Sequence, residues 1–184
     1  MFKGLNIVIG VTGGIAAYKA CSLVSYLTKK GANVDVIMTK NAMEFINPIT
    51  LETLSKNKVV TDMFERPDFV DVKHISLAKK ADLFIIAPAT ANIIGKVANG
   101  IGDDMLSTTI MATKAKVYFV PTMNNQMYEN KIVQDNIDKL KKYGYKFVDP
   151  DEGYLACGDI AKGKYPGTKQ IIDKIKEELK WKYY

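Results

Sequence analysis

Five short apolar runs punctuate the chain, at residues 5–11, 34–38, 83–87, 117–120 and 146–148. Between them the pattern changes to helical spacing, with apolar positions recurring every three or four residues. These stretches cover about 15–30, 42–55, 75–80, 91–98, 104–113 and 126–143, and a last amphipathic one covers about 168–180. A strand with one wet face alternates apolar and polar residues, whereas these runs are nearly continuous, as in strands buried on both faces. Gly31 and Gly144 follow lysine-rich helix ends, where a helix cap favours glycine. Strands alternating with helices predict a single doubly wound α/β domain, Rossmann-like or flavodoxin-like, with helices on both faces of a parallel sheet. Such sheets bind ligands beyond the carboxyl ends of their strands, near the switch point. The segments that follow each strand are therefore the place to look for chemistry.

Composition narrows the classes. A chain of 184 residues can bury one sizeable core, and 47% hydrophobic against 25% charged residues is the balance of a soluble globular domain. No apolar run approaches the roughly 18 residues that cross a bilayer, and the N-terminus does not read as a secretory signal, so no membrane partner is expected. Cys21 and Cys157 make no disulfide framework, which suggests a reducing, cytoplasmic setting. The net charge of +6 is mostly lysine, and clusters such as Lys139-Leu140-Lys141-Lys142 fall among acids at helical spacing. They read as solvated helix faces, not a nucleic-acid surface, while a modest positive field favours phosphorylated small molecules. With one histidine and two distant cysteines, no metal site is expected.

The first strand runs into Gly10-Val11-Thr12-Gly13-Gly14-Ile15. Glycine lets backbone approach a ligand, and the amides of a helix start favour an anion. The spacing fits neither a P-loop nor a dinucleotide fingerprint, and the second strand ends in Met38-Thr39-Lys40-Asn41 instead of an acid that would hold a ribose. A mononucleotide with a terminal phosphate, such as FMN, suits this turn better than NAD. The alternative is an ordinary tight strand-to-helix turn.

Four further features follow in order. His74, the sole histidine, stands at the start of a short helix and is either a general base or a structural residue. Pro88-Ala89-Thr90-Ala91-Asn92 follows the third of the long strands and brings small residues with a hydroxyl and an amide; a helix cap would need the same. Pro121-Thr122-Met123-Asn124 repeats the arrangement, with Asn124 either holding a carboxylate or capping a helix. Cys157 lies in a glycine-bearing loop, outside any apolar element, where a cysteine serves chemistry or a lid better than packing.

In that order and combination the motifs resemble the flavin-dependent cysteine decarboxylases, above all the branch that acts on a phosphorylated pantothenoyl-cysteine in coenzyme A biosynthesis. The resemblance covers essentially the whole chain. It implies FMN held by Gly13, Gly14, Ile15 and Thr39, with Thr90, Ala91, Asn92, Ile93 and Thr122 completing the cofactor contacts. It implies His74 as base, Cys157 as proton donor and Asn124 as holder of the substrate carboxylate. Met123, Ala156, Gly158, Asp159 and Lys164 would join Asn124 around the substrate, in a clamp at about 150–167. It also implies a trimer or dodecamer with FMN at a subunit interface, and a synthetase on a separate chain. Thr90, Ile93, Tyr128, Ala161 and Lys164 replace residues more usual in the family (Ser, Thr, Trp, Gly and Arg), which bears on substrate clamping more than on the reaction. Two rivals share the resemblance: a decarboxylase of peptide C-terminal cysteines, as in lantibiotic maturation, and a non-enzymatic flavoprotein regulator.

Overall fold

Alternate residues along each strand enter two different cores, and that alternation organises the molecule. The computed structural model describes residues 1–64, 72–154, 158 and 160–180. Strands β1 (Asn6–Val11), β2 (Asn33–Met38), β3 (Leu83–Ala89), β4 (Lys116–Pro121) and β5 (Lys146–Phe147) form one parallel sheet in the order β2-β1-β3-β4-β5. Ile7, Ile9, Val36, Ile85 and Val120 pack on one face against helices α1 (Ala20–Lys29), α3 (Pro48–Ser55) and, at the chain's far end, α9 (Thr168–Lys180). Val8, Ile37, Phe84, Ile86 and Phe119 pack on the other face against α4 (Lys73–Lys80), α5 (Ala91–Ala98), α6 (Met105–Ala112) and α8 (Lys131–Lys142). Fully burying a side chain of this size contributes about 1.5–3 kcal/mol, so each face is held by its own substantial core. The doubly wound fold is thus present. The switch point lies between β1 and β3, where successive crossovers leave in opposite directions.

Several expected elements divide, each for a local reason. The helix expected at 15–30 begins as a 3-10 turn, Ile15–Lys19, before α1. The one expected at 42–55 splits into α2 (Lys40–Met43) and α3, because Pro48 cannot continue a helix but can start one, and the Asn47 side chain accepts from the Ile49 amide. The one expected at 126–143 splits into α7 (Asn125–Glu129) and α8 at Asn130, whose side chain accepts from the Ile132 amide. β3 runs two residues beyond expectation, through Pro88 and Ala89, with a cis Ala87–Pro88 bond. The largest correction concerns the glycine-bearing loop. Much of it is an antiparallel hairpin of β6 (Asp151–Tyr154) and β7 (Ile160–Lys164), pairing Glu152 with Lys162 and Gly153 with Ala161.

Candidate active site

Beyond the carboxyl ends of β1, β3 and β4 lies a cavity of about 520 Å³, closed on one side by the β6–β7 hairpin. That volume lies within the roughly 300–1,000 Å³ of small-molecule pockets. Its walls come from Gly13, Gly14 and Ile15 after β1, Pro88 and Thr90 after β3, and Thr122, Met123 and Asn124 after β4. Tyr154, Lys164 and Tyr165 line it on the hairpin side. The sheet order brings segments about 75 residues apart in sequence to one crevice, as the switch-point rule requires.

The two glycines of the first turn serve different ends. A Cβ on Gly13 would lie 2.4 Å from the Asn41 Cβ and 2.8 Å from its carbonyl carbon, so this glycine lets the turn pack against α2. A Cβ on Gly14 would meet only the Thr90 Cγ2, at 3.9 Å, and would otherwise enter the cavity. Gly14 is also the cap residue of the 3-10 turn, with an ordinary extended backbone and no side chain to occupy the first amides. The leading amides of a helical turn lack partners within it and favour an anion.

Thr90 occupies the cap position of α5, yet its side chain makes no capping bond; the hydroxyl is not spent on the helix. Asn124 is a helix cap that also faces the cavity. It lines the cavity, and its Oδ1 accepts from the Gln126 amide at 2.9 Å to cap α7. The Thr122 hydroxyl donates to the Val120 carbonyl at 3.2 Å, and its amide donates to the Ala89 carbonyl at 3.0 Å.

Other expected site residues stand apart. Thr39 caps α2, accepting from the Ala42 amide at 3.3 Å, and does not line the cavity. Ala91, Asn92 and Ile93 form the first turn of α5 behind Thr90; Ile93 is buried in the core beneath. His74 is half-buried in the first turn of α4, outside the cavity lining. Gly158 is exposed and also outside the lining, while Ala156, Cys157 and Asp159 lie outside the described residues.

In and beside the cavity stand residues to which no sequence motif assigns a role. The Lys19 ammonium lies 5.6 Å from the Tyr165 ring centroid and 6.0 Å from that of Tyr18, a cation–π arrangement on the lining. Tyr165 is 4% exposed, and burial pushes its phenol well above the usual tyrosine range. Its hydroxyl has no hydrogen-bond partner among the described residues. Thr12, 2% exposed, joins the end of β1 to the segment after β3: its hydroxyl donates to the Pro88 carbonyl at 2.7 Å and accepts from the Thr90 amide at 3.0 Å. The signal available for Thr12 was its place, between a buried parallel strand and a glycine turn. Nothing in the local pattern marks Tyr165 as a cavity residue, because the hairpin before it places it there.

The sequence profile described as Flavoprotein matches residues 1–180. The coenzyme A biosynthesis bifunctional protein CoaBC of Borreliella burgdorferi is 50% identical over 184 residues, which cover 100% of this chain and 47% of that protein. The chain thus spans about half the length of this relative. The probable phosphopantothenoylcysteine decarboxylase of Streptococcus mutans is 46% identical over 176 residues, covering 95% of this chain and 98% of the relative. Among solved structures, the FMN-dependent cysteine decarboxylase SpaF superposes with a TM-score of 0.83 at 28% identity, over 95% of this chain and 96% of its own. The chain belongs to the flavoprotein family, among relatives described as phosphopantothenoylcysteine decarboxylases.

Proposed function

We propose that the protein is an FMN-dependent carboxy-lyase that converts 4′-phosphopantothenoyl-L-cysteine to 4′-phosphopantetheine and CO2 in coenzyme A biosynthesis. The observation that carries the reading is the cavity at the switch point, with its open glycine turn and the uncapped Thr90 facing each other. The cradle fits a flavin mononucleotide. The turn from Gly13 to Ile15 offers backbone amides to a phosphate, and Thr90 and Thr122 offer polar edges to a ring system. Pro88 and Met123 give apolar walls. SpaF, a structural neighbour, is FMN-dependent. The relative matched over 98% of its length supports the choice of substrate. Lys19 and Lys164 add two ammonium groups to the lining, which suits a phosphorylated substrate.

FMN, when bound, would supply a reversible two-electron sink for the sulfur-bearing carbon of the substrate. Oxidation at that carbon gives a thioaldehyde, so the charge released with CO2 spreads onto sulfur. Asn124 holds the substrate carboxylate at the rim of the cavity. His74 takes the proton that must leave before oxidation, and Cys157 returns one to the enethiolate as the saturated thiol forms. The position of His74 outside the lining fits a homo-oligomer with the cavity at a subunit boundary, where the partner subunit's His74 completes the site. Ile15 and Tyr18 on the cavity rim are exposed, as are Met43, Phe45 and Ile49 on the α2–α3 segment, and a boundary there would cover them.

The test is to purify the protein, release its chromophore by denaturation, and incubate the holoprotein with the substrate. The expected result is bound FMN and a product lighter by CO2. A colourless protein that binds no FMN would overturn the proposal. So would a flavoprotein that leaves this substrate intact and decarboxylates a peptide with a C-terminal cysteine.

A further inference from the structure

At the switch point the backbone ladder gives out. β1 and β3 pair as far as Gly10 and Ile86; beyond them one segment leads to α1 on one face and the other to α5 on the opposite face. Thr12 spans the gap, donating to the Pro88 carbonyl and accepting from the Thr90 amide. A hydroxyl carries one hydrogen and two lone pairs, so a single small group serves a carbonyl and an amide together. Farther along the same edge two ties run backbone to backbone: the Thr122 amide to the Ala89 carbonyl, and the Met123 amide to the Gly163 carbonyl at 3.1 Å. Those two do not depend on side-chain identity. The Thr12 tie does.

Thr90 lines the cavity, its side chain is not used to cap α5, and its methyl stands opposite Gly14. We infer that Thr12 is a positioning residue for the cofactor: it holds Pro88 and Thr90 against the glycine turn and so sets the width of the crevice between that turn and α5. The inference rests on the FMN reading above. Replacing Thr12 by Val keeps the volume but takes the hydroxyl from the buried Pro88 carbonyl and the half-buried Thr90 amide, and a buried polar group left without its partner costs more than the bond itself returned. The loss falls on the placement of Thr90, and through it on FMN.

Two readouts separate positioning from bulk stability. One is the FMN dissociation constant of wild-type, Thr12→Val and Thr12→Ser proteins, by flavin fluorescence after removal and re-addition of the cofactor. The other is amide hydrogen exchange at Thr90. Thr12→Val is expected to bind FMN about tenfold more weakly and to lose Thr90 protection. Thr12→Ser, which keeps the hydroxyl, is expected to restore both. If the Val variant does not fold, Thr12→Ala takes its place with the same expectation. A hydroxyl-free variant with wild-type FMN affinity overturns the inference. A wild-type protein that binds no FMN overturns the cofactor reading instead. Exchange at Thr90 then decides the tie alone: lost protection in Thr12→Val sustains it, and unchanged protection ends it.

Discussion

The strand-end side of the cavity rests on residues with no exposure at all, such as Ala87, Ala89 and Val120, whereas the hairpin side leaves Tyr154 70% exposed. The first is continuous with both cores. The second is docked through the Met123–Gly163 backbone bond, the Lys162 ammonium, 5.6 Å from the centre of the buried Tyr128 ring, and Tyr165 just past β7, which is buried in one core. Local stability follows buried contact, so the strand-end side is suited to hold a cofactor through many turnovers and the hairpin to admit and release a substrate. Changes at the strand ends should therefore appear as altered FMN affinity, and changes in the hairpin as altered KM with FMN affinity preserved.

The largest effect is expected from a residue on neither side. His74→Asn should lower kcat by about 100-fold or more, as loss of a general base does, with FMN still bound. Stopped-flow absorbance should then show no flavin reduction by substrate; unimpaired reduction would make His74 structural. Next is Gly14→Val. The backbone there is ordinary and a Cβ has room, so the melting temperature should stay near wild type. The side chain intrudes where the cofactor sits, and FMN affinity should fall by about tenfold or more. Equal losses of stability and affinity would blur the distinction between the two sides.

Gly163→Val tests the hairpin. Its φ is 137°, and a Cβ would lie 2.3 Å from the Met123 carbonyl oxygen, so the strand must lift. KM is expected to rise by about tenfold, with the FMN dissociation constant nearly unchanged. The smallest effect belongs to Lys162→Met. An exposed cation–π contact is worth about 0.5–1 kcal/mol, so KM should rise only two- to fivefold. A large loss of FMN from either hairpin variant would show that the two sides are not independent.

The sequence showed the strand-end side better than the hairpin, for physical reasons. Runs such as Leu83–Ala89 are apolar because both faces of the sheet are covered, and that pattern is local. Gly14 and Asn124 could be placed at the strand ends because glycine before a helical turn and Asn at a helix start are local signals, although the same signals serve tight turns and caps. The hairpin was hidden because its four-residue strand Asp-Glu-Gly-Tyr carries no apolar alternation; its pairing comes from backbone and from docking on the segment after β4. Thr12 and Tyr165 matter through partners distant in sequence, which no local pattern records. The helix breaks at Pro48 and Asn130 could have been drawn from their residue types, since both positions carry capping signals.

The most direct test of the central claim is an anaerobic turnover experiment with 4′-phosphopantothenoyl-L-cysteine in large excess over holoprotein and no added electron acceptor. The expected result is many equivalents of CO2 and of saturated thiol per flavin, with the flavin oxidised at the end. One equivalent of enethiol per subunit, standing beside reduced flavin, would contradict the account.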